Sequence, residues 1–166
     1  MEFFETVGKR ASVRSFTPHE IGRSELEQIV DAGRRAPSGY NRQPCEFIIV
    51  RDDDVVEELG KIQGCIAEAS AAIAVVVDDQ ATTFWREDAA AAIEKMRLAA
   101  AARGYALPWV EGYVLKHEQL AKDILKVPDG RRLLAVLPIG RPASDPHQAA
   151  KKSLAEVTYF DRYGEK

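Results

Sequence analysis

"RRAPSGYNRQPCEFIIV", residues 34–50, ends a helical pattern, crosses a loop and enters a short apolar run of strand length. Pro37, Gly39 and Pro44 punctuate the loop, and Ser38, Asn41 and Gln43 give it hydrogen-bonding side chains. Pro, Gly, Ser and Asn are what any turn is made of, so ordinary turn chemistry is one reading. The other is a loop that faces a planar polar ligand. A plain connector could be shorter, and it needs no such set of donors and acceptors.

On the N-terminal side, Leu26, Ile29, Val30 and Gly33 recur at i, i+3, i+4 and i+7, which predicts an amphipathic helix ending near Ala36. Ser24 with Glu27 reads as its capping box. Residues 2–9 predict a short helix with Phe3, Phe4 and Val7 on one face. On the C-terminal side, "DDDVVEELGKI" predicts a capped helix and "AAIAVVV" (71–77) a strand buried on both faces. Strong helix formers fill Glu87 to Arg103, and Gly104 stands where a glycine would end that helix. Residues 115–125 predict one further helix, and 131–140 a further strand. The tail, 154–163, is rich in β-branched and aromatic residues and reads as a terminal strand or arm. "RPASDPHQAAKK" (141–152) reads as a surface crossing. Three interior strands among helices predict an α+β sandwich with a small central sheet. No repeat or linker divides the chain, so residues 1–166 are expected to form a single domain.

Composition excludes several function classes. The chain has 166 residues and a net charge of −3, without the basic stripe a nucleic-acid partner needs. Its longest apolar run is too short to span a bilayer, and the N-terminus lacks a signal-peptide core, so a cytoplasmic protein is expected. Two cysteines, Cys45 and Cys65, fit a reducing compartment. No two glycines stand as G-x-G and no G-x-x-x-x-G-K is present, so neither the Rossmann fingerprint nor a P-loop exists. His19, His117 and His147 are scattered, with no zinc spacing and no G-x-S-x-G elbow. Side chains so poorly equipped for hard chemistry fit a borrowed cofactor.

"KRASVR" (9–14) adds a second group. In an extended chain Arg10, Ser12 and Arg14 share one face, opposite Ala11 and Val13. Two guanidinium groups and a hydroxyl suit a phosphate. They equally suit a solvated basic turn.

Read together, "KRASVRSFTPHEI", the capped helix and "RRAPSGYNRQPCEFIIV" resemble the opening of the FMN-dependent nitroreductase family. The resemblance continues through "EDAAAAIEKMRLAAAARGYALPWVEGY", "VPDGRRLLAVLPIGRPA" and "KKSLAEVTYFDRY", and so covers nearly the whole chain. Each motif alone is weak. R-x-S-x-R followed some 20 positions later by A-P-S-x-x-N-x-Q-P is a specific combination.

The resemblance implies a homodimer with FMN at the subunit interface, a mostly antiparallel central sheet and a C-terminal arm packed on the partner. It implies that Arg10, Ser12 and Arg14 hold the FMN phosphate, with Lys151 and Lys152 as the basic pair that closes over it. Pro37, Ser38, Gly39 and Asn41 are implied to lie against the flavin of the second subunit, with Gln43 near the ring. "PWVEG" (108–112) is implied to present the Glu111 N–H to flavin N5, with Trp109 and Gly112 beside it. Trp109 is equally at home in a core. The implied activity is hydride transfer from NADH or NADPH to FMN, then reduction of an electron-poor small molecule such as a nitroaromatic, quinone or flavin, by a ping-pong scheme. No side chain need be nucleophile or base, and no metal is implied. Other flavin chemistry on the same fold stays open (dehalogenation, enone reduction, flavin breakdown), as does a non-catalytic flavin-binding regulator. Two departures stand out. Cys45 follows the Q-P dipeptide where the family commonly has an aromatic residue, and the short "DDQATTFWRE" replaces the helical excursion that shapes the substrate pocket in larger members.

Overall fold

The apolar run at 71–77 is the middle strand of the molecule. In the computed structural model, which describes residues 2–166, all seven of its residues are buried. In chain order the elements are α1 (Phe3–Lys9), β1 (Phe16–Thr17), α2 (Arg23–Arg34), β2 (Cys45–Val50), α3 (Asp53–Gly60), β3 (Ala71–Val77) and α4 (Trp85–Ala102). There follow α5 (Gly112–Lys116), α6 (Glu118–Leu125), β4 (Arg132–Ile139), β5 (Arg141–Pro142) and α7 (Leu154–Val157). β3 lies between β2 and β4, antiparallel to both, and the short β1 and β5 pair antiparallel apart from them. This is the α+β architecture read from the sequence.

Strand side chains alternate between faces, so β3 serves two cores. Ala71, Ile73, Val75 and Val77 join Leu26 and Ile29 of α2 and Ala89, Ile93 and Met96 of α4 in one cluster. Ala72, Ala74 and Val76 face Val56 and Leu59 of α3, Val114 of α5 and Ala121 of α6 in the other. Helices therefore cover both faces. At the sheet's one irregularity Val75 opposes Ala135 but Val76 opposes Leu133, which leaves Leu134 as an extra residue. Leu134 and Ala135 accordingly point into the same cluster, as a β-bulge requires. Gly33 brings α2 close to α4, since a Cβ there would lie 2.6 Å from Met96 Cγ. The contact fixes α4, the helix from which the site is built.

Local readings are corrected in three places. α2 begins at Arg23, not after Ser24: Gly22 is its N-cap, and the Glu25 carboxylate accepts from the Gly22 N–H at 3.4 Å. Glu27 instead pairs with Arg23 at 2.7 Å, a helix neighbour one turn away. The single helix read over 115–125 is two, α5 and α6, broken at His117, where φ −122° and ψ 29° leave helical geometry. No Pro or Gly marks that break. The tail is no strand: it forms the single turn α7, opened by a capping box of Ser153 and Glu156, and then runs irregularly. Gly104, by contrast, ends α4 with φ +80°, as read.

Glu118 ties α6 to the sheet. It accepts from Arg132 Nε and Nη2, both at 2.8 Å, and from the Leu133 N–H at 3.0 Å. These bonds favour the charged form and hold its carboxyl below the ordinary 4.5 despite partial burial. A carboxyl depressed on folding adds stability that is present above its unfolded value and is lost as pH falls through the folded one. Glu118→Gln is therefore expected to cost about 1–2 kcal/mol at neutral pH. That cost should shrink below about pH 4.5, where the wild type loses the same contribution. Urea melts of both proteins at the two pH values check this.

Candidate functional site

The chain from Arg10 to Ser15 has no regular structure between α1 and β1. It is held against α4 by charge. Glu94 accepts from Arg97 Nη1 at 2.8 Å and forms an ion pair with Arg10 Nε at 3.3 Å. Arg97 Nη2 donates to Ser12 Oγ at 3.0 Å, and Arg97 Nε to the Leu107 carbonyl at 3.2 Å. Burial pulls the Arg97 guanidinium below its ordinary value, and the Glu94 charge opposes the shift. Arg10, Ser12 and Arg14 line one cavity of about 370 Å³ with His147, Gln148 and Lys151. Gln148 closes it by donating to the carbonyls of Val7 (2.6 Å) and Arg10 (2.9 Å). The structure thus gathers four of the residues that the resemblance assigns to a phosphate. Lys152 is exposed and is not among the residues lining this cavity.

The second group lies at the N-terminal end of α4. Tyr40, Asn41 and Gln43 have φ of 52°, 56° and 50°, the left-handed region that side-chain-bearing residues avoid. Such a backbone persists only where its surroundings over-determine it. Ser38 Oγ accepts from the Gln43 N–H at 2.9 Å, and the Gln43 amide donates to the Asn41 carbonyl at 3.3 Å. Asp88 of α4 accepts from the Gly39 N–H at 2.9 Å, and its other oxygen is buried without a partner among the described residues. A Cβ at Gly39 would stand 2.7 Å from the Phe84 ring, so the loop sits tight on the start of α4. Pro37 is exposed, as are the side chains of Asn41 and Gln43. A small cavity of about 60 Å³ under the loop is lined by Pro37, Ser38, Gln43, Cys45 and Asp88 among others. Burial, and then the Asp88 charge, pushes the Cys45 thiol up to about 11, so at neutral pH it is a protonated, apolar-packing group.

A third group enters with the segment before α5. Val110 pairs with Val136 of β4 in both directions, at 3.2 and 3.0 Å, and anchors the segment on the sheet. Trp109 packs on the α2–α4 cluster, yet its Nε1 is buried without a partner among the described residues. Glu111 is the N-cap of α5, and its N–H has no acceptor among the described residues. Around Gly112 there is open space: a Cβ there would meet nothing within 4 Å.

The cavity at the triplet and the one under the loop share no lining residue. Both groups rest on α4, which also contributes Asp88, Glu94 and Arg97. The sequence reads here as an Ala-rich helix and singles out none of the three. The partners of Asp88 and Arg97 lie 49 and 85 residues away in the chain, and no local pattern marks them.

Three comparisons bear on this arrangement. A family model described as the nitroreductase family matches residues 7–86, the span that contains both the Arg10–Arg14 triplet and the Pro37–Gln43 loop. A protein of Archaeoglobus fulgidus provisionally named an NADH dehydrogenase/NAD(P)H nitroreductase is 28% identical over 152 residues, 87% of each chain. Among solved structures, one from Parabacteroides distasonis with the same provisional name superposes with a TM-score of 0.87 at 26% identity, over 95% of this chain and 97% of that one. One described as a nitroreductase in complex with FMN, from Desulfovibrio desulfuricans, gives 0.86 at 26% identity over 98% of each chain. The Arg10–Arg14 triplet and the Pro37–Gln43 loop fall inside the matched region, and the fold runs through almost the whole of both solved chains: this protein is similar in sequence and in fold to proteins of the nitroreductase family.

Proposed function

We propose that this protein is an FMN-dependent oxidoreductase that takes reducing equivalents from NADH or NADPH and delivers them to an electron-poor small molecule, such as a nitroaromatic, a quinone or a flavin. The observation that carries the reading is the convergence of Arg10, Ser12, Arg14 and Lys151 on one cavity whose lining holds no carboxylate. Three cations and a hydroxyl fit the donor set of a phosphate monoester. The FMN complex of the Desulfovibrio relative supports the choice of flavin. FMN held there would supply two-electron redox chemistry between a nicotinamide donor and the acceptor, in a ping-pong scheme.

The chain's own residues bind, orient and exclude water. Arg10, Ser12, Arg14 and Lys151 hold the phosphate end, with Lys152 next in the chain. Pro37, Ser38, Gly39, Asn41 and Gln43 meet the ring edge and ribityl chain from the second subunit. The loop's backbone, held by Asp88 and by its own Ser38–Gln43 bond, limits how far those groups can drift. The Glu111 N–H, free of an acceptor among the described residues, would offer a hydrogen-bond donor to N5, and the open space at Gly112 would leave room for the ring edge. Trp109 flanks it and keeps water out. No side chain is asked to take a proton from substrate.

A site shared between subunits requires a homodimer. Phe3, Phe4 and Val7 on α1 and Leu154, Val157 and Phe160 in the tail are large, apolar and exposed, a surface that a second copy would cover. In this reading the tail is the arm that packs on the partner, the whole chain is one FMN-binding domain, and the protein works in the cytoplasm. No helix among the described residues is long and apolar enough to cross a membrane.

Sedimentation of the FMN-loaded protein is expected to give about twice 18.4 kDa. Removal of the chain from Ser153 onward should shift it toward monomer and release flavin. Anaerobic addition of NADH and of NADPH should bleach the flavin band, and an added quinone should restore it. A monomer that binds FMN tightly would contradict the shared site. A flavin band that neither nicotinamide bleaches would leave a binding protein rather than an enzyme.

A further inference from the structure

Ser12 has one hydrogen to donate and two lone pairs to accept with. One lone pair is taken by Arg97 Nη2 at 3.0 Å, a donor that cannot lose its proton at any working pH. The hydroxyl hydrogen therefore has no use toward Arg97 and is directed elsewhere. The cavity that Ser12 lines with Arg10, Arg14 and Lys151 is where it can find an acceptor. Arg97 is itself locked: its three nitrogens bond Ser12, Glu94 and the Leu107 carbonyl, and its side chain is only 11% exposed. The second oxygen of Glu94 holds Arg10 by Nε at 3.3 Å. A guanidinium gripped at Nε keeps its terminal nitrogens for another anion. The Leu107 carbonyl lies just ahead of Pro108 and Trp109, so Arg97 also ties the triplet to the segment that leads to Glu111.

We infer that Arg97, braced by Glu94, is a positioning residue of the phosphate grip, presenting the Ser12 hydroxyl as an obligate donor and linking the phosphate end of the site to the Leu107–Glu111 segment. This rests on the proposed FMN site. Arg97 bonds Ser12 and does not line the cavity, so its effect on the phosphate is assigned chiefly to Ser12.

The test is a double-mutant cycle on flavin affinity, measured by fluorescence quenching with FMN and, in parallel, with riboflavin, which lacks the phosphate. Ser12→Ala and Arg97→Gln are each expected to weaken FMN about tenfold, the loss of one charge-assisted hydrogen bond. Together they should weaken it hardly more than either alone, because they remove the same bond. Riboflavin affinity should stay within about twofold throughout. If Arg97→Gln prevents folding, Arg97→Lys keeps the charge but not the planar fork, and it should likewise weaken FMN in the wild-type background and not in Ser12→Ala. Effects that multiply, or that fall equally on FMN and riboflavin, overturn the assignment. If the wild type does not favour FMN over riboflavin, the phosphate site itself falls. If it does, and Arg14→Ala removes that preference while Arg97→Gln and Arg97→Lys leave it intact, only the role of Arg97 falls.

Discussion

Replacing Arg10 and Arg14 together with alanine is expected to weaken FMN binding by at least about a hundredfold, while turnover of the flavin-saturated protein stays nearly unchanged. Each guanidinium supplies a charged contact of about 1.5–3 kcal/mol, roughly tenfold to a hundredfold in affinity. The two act on one phosphate, so their effects need not multiply fully. The single variants should differ. Arg10 neutralises one oxygen of Glu94 at 3.3 Å, whereas Arg14 is exposed and forms no ion pair among the described residues. Arg10→Ala thus removes a cation from the phosphate and also uncovers a carboxylate beside it, and it should be the more damaging of the two. Turnover should be spared, because in the proposed site both arginines lie at the phosphate end, away from the reacting ring. Flavin titration followed by stopped-flow reduction at saturating FMN separates affinity from rate. Normal binding with slow reduction in these variants would move the phosphate elsewhere.

Gly112→Val should do the reverse, with near-normal flavin occupancy and reduction by NADH or NADPH slowed by about a hundredfold. Among the described residues nothing outside its own helix and chain neighbours lies within 4 Å of a Cβ at this position, so valine is expected to leave the fold intact. In the proposed site what it would meet is the ligand: a branched side chain beside the Glu111 N–H would push the ring edge away from its donor. A positioned donor of this kind is worth about 10²–10³ in rate. Glu111→Ala should be mild by comparison, since the donor is backbone and the carboxylate takes no part. Stopped-flow traces of both variants at saturating FMN decide the matter. If Glu111→Ala abolishes reduction, the carboxylate has a role denied to it here.

Fold and site were legible in the sequence to different depths. β3 could be read because seven consecutive apolar residues leave a strand nowhere but between two covered faces. Gly104 could be read because a helix end that needs φ +80° selects glycine. The start of α2 was misplaced because Ser24 and Glu27 fit a capping pattern as well as Gly22 and Glu25 do, and only packing of Leu26 and Ile29 on α4 and the sheet sets the register. The break at His117 left no sign: no Pro or Gly stands there, and the next residue, Glu118, bonds Arg132 on β4, a partner far along the chain. In the site, the triplet and the loop stood out through residue type and spacing. The residues that hold them did not. Asp88, Glu94 and Arg97 look like any charged residues of an Ala-rich helix, and their meaning comes from partners brought near by folding. The left-handed backbone at Tyr40, Asn41 and Gln43 was equally invisible, because only Asn41 is of a type that commonly adopts it.

The most direct measurement is the identity and affinity of the flavin. Protein purified and then incubated with a mixture of FMN, FAD and riboflavin is freed of unbound flavin and heated, and the released flavin is identified. FMN is expected, bound at micromolar concentration or below, because a cavity lined by Arg10, Ser12, Arg14 and Lys151 closes on one terminal phosphate. Release of riboflavin or FAD in preference to FMN, or failure to retain any flavin at micromolar concentration, would contradict the assignment of this cavity and the activity proposed from it.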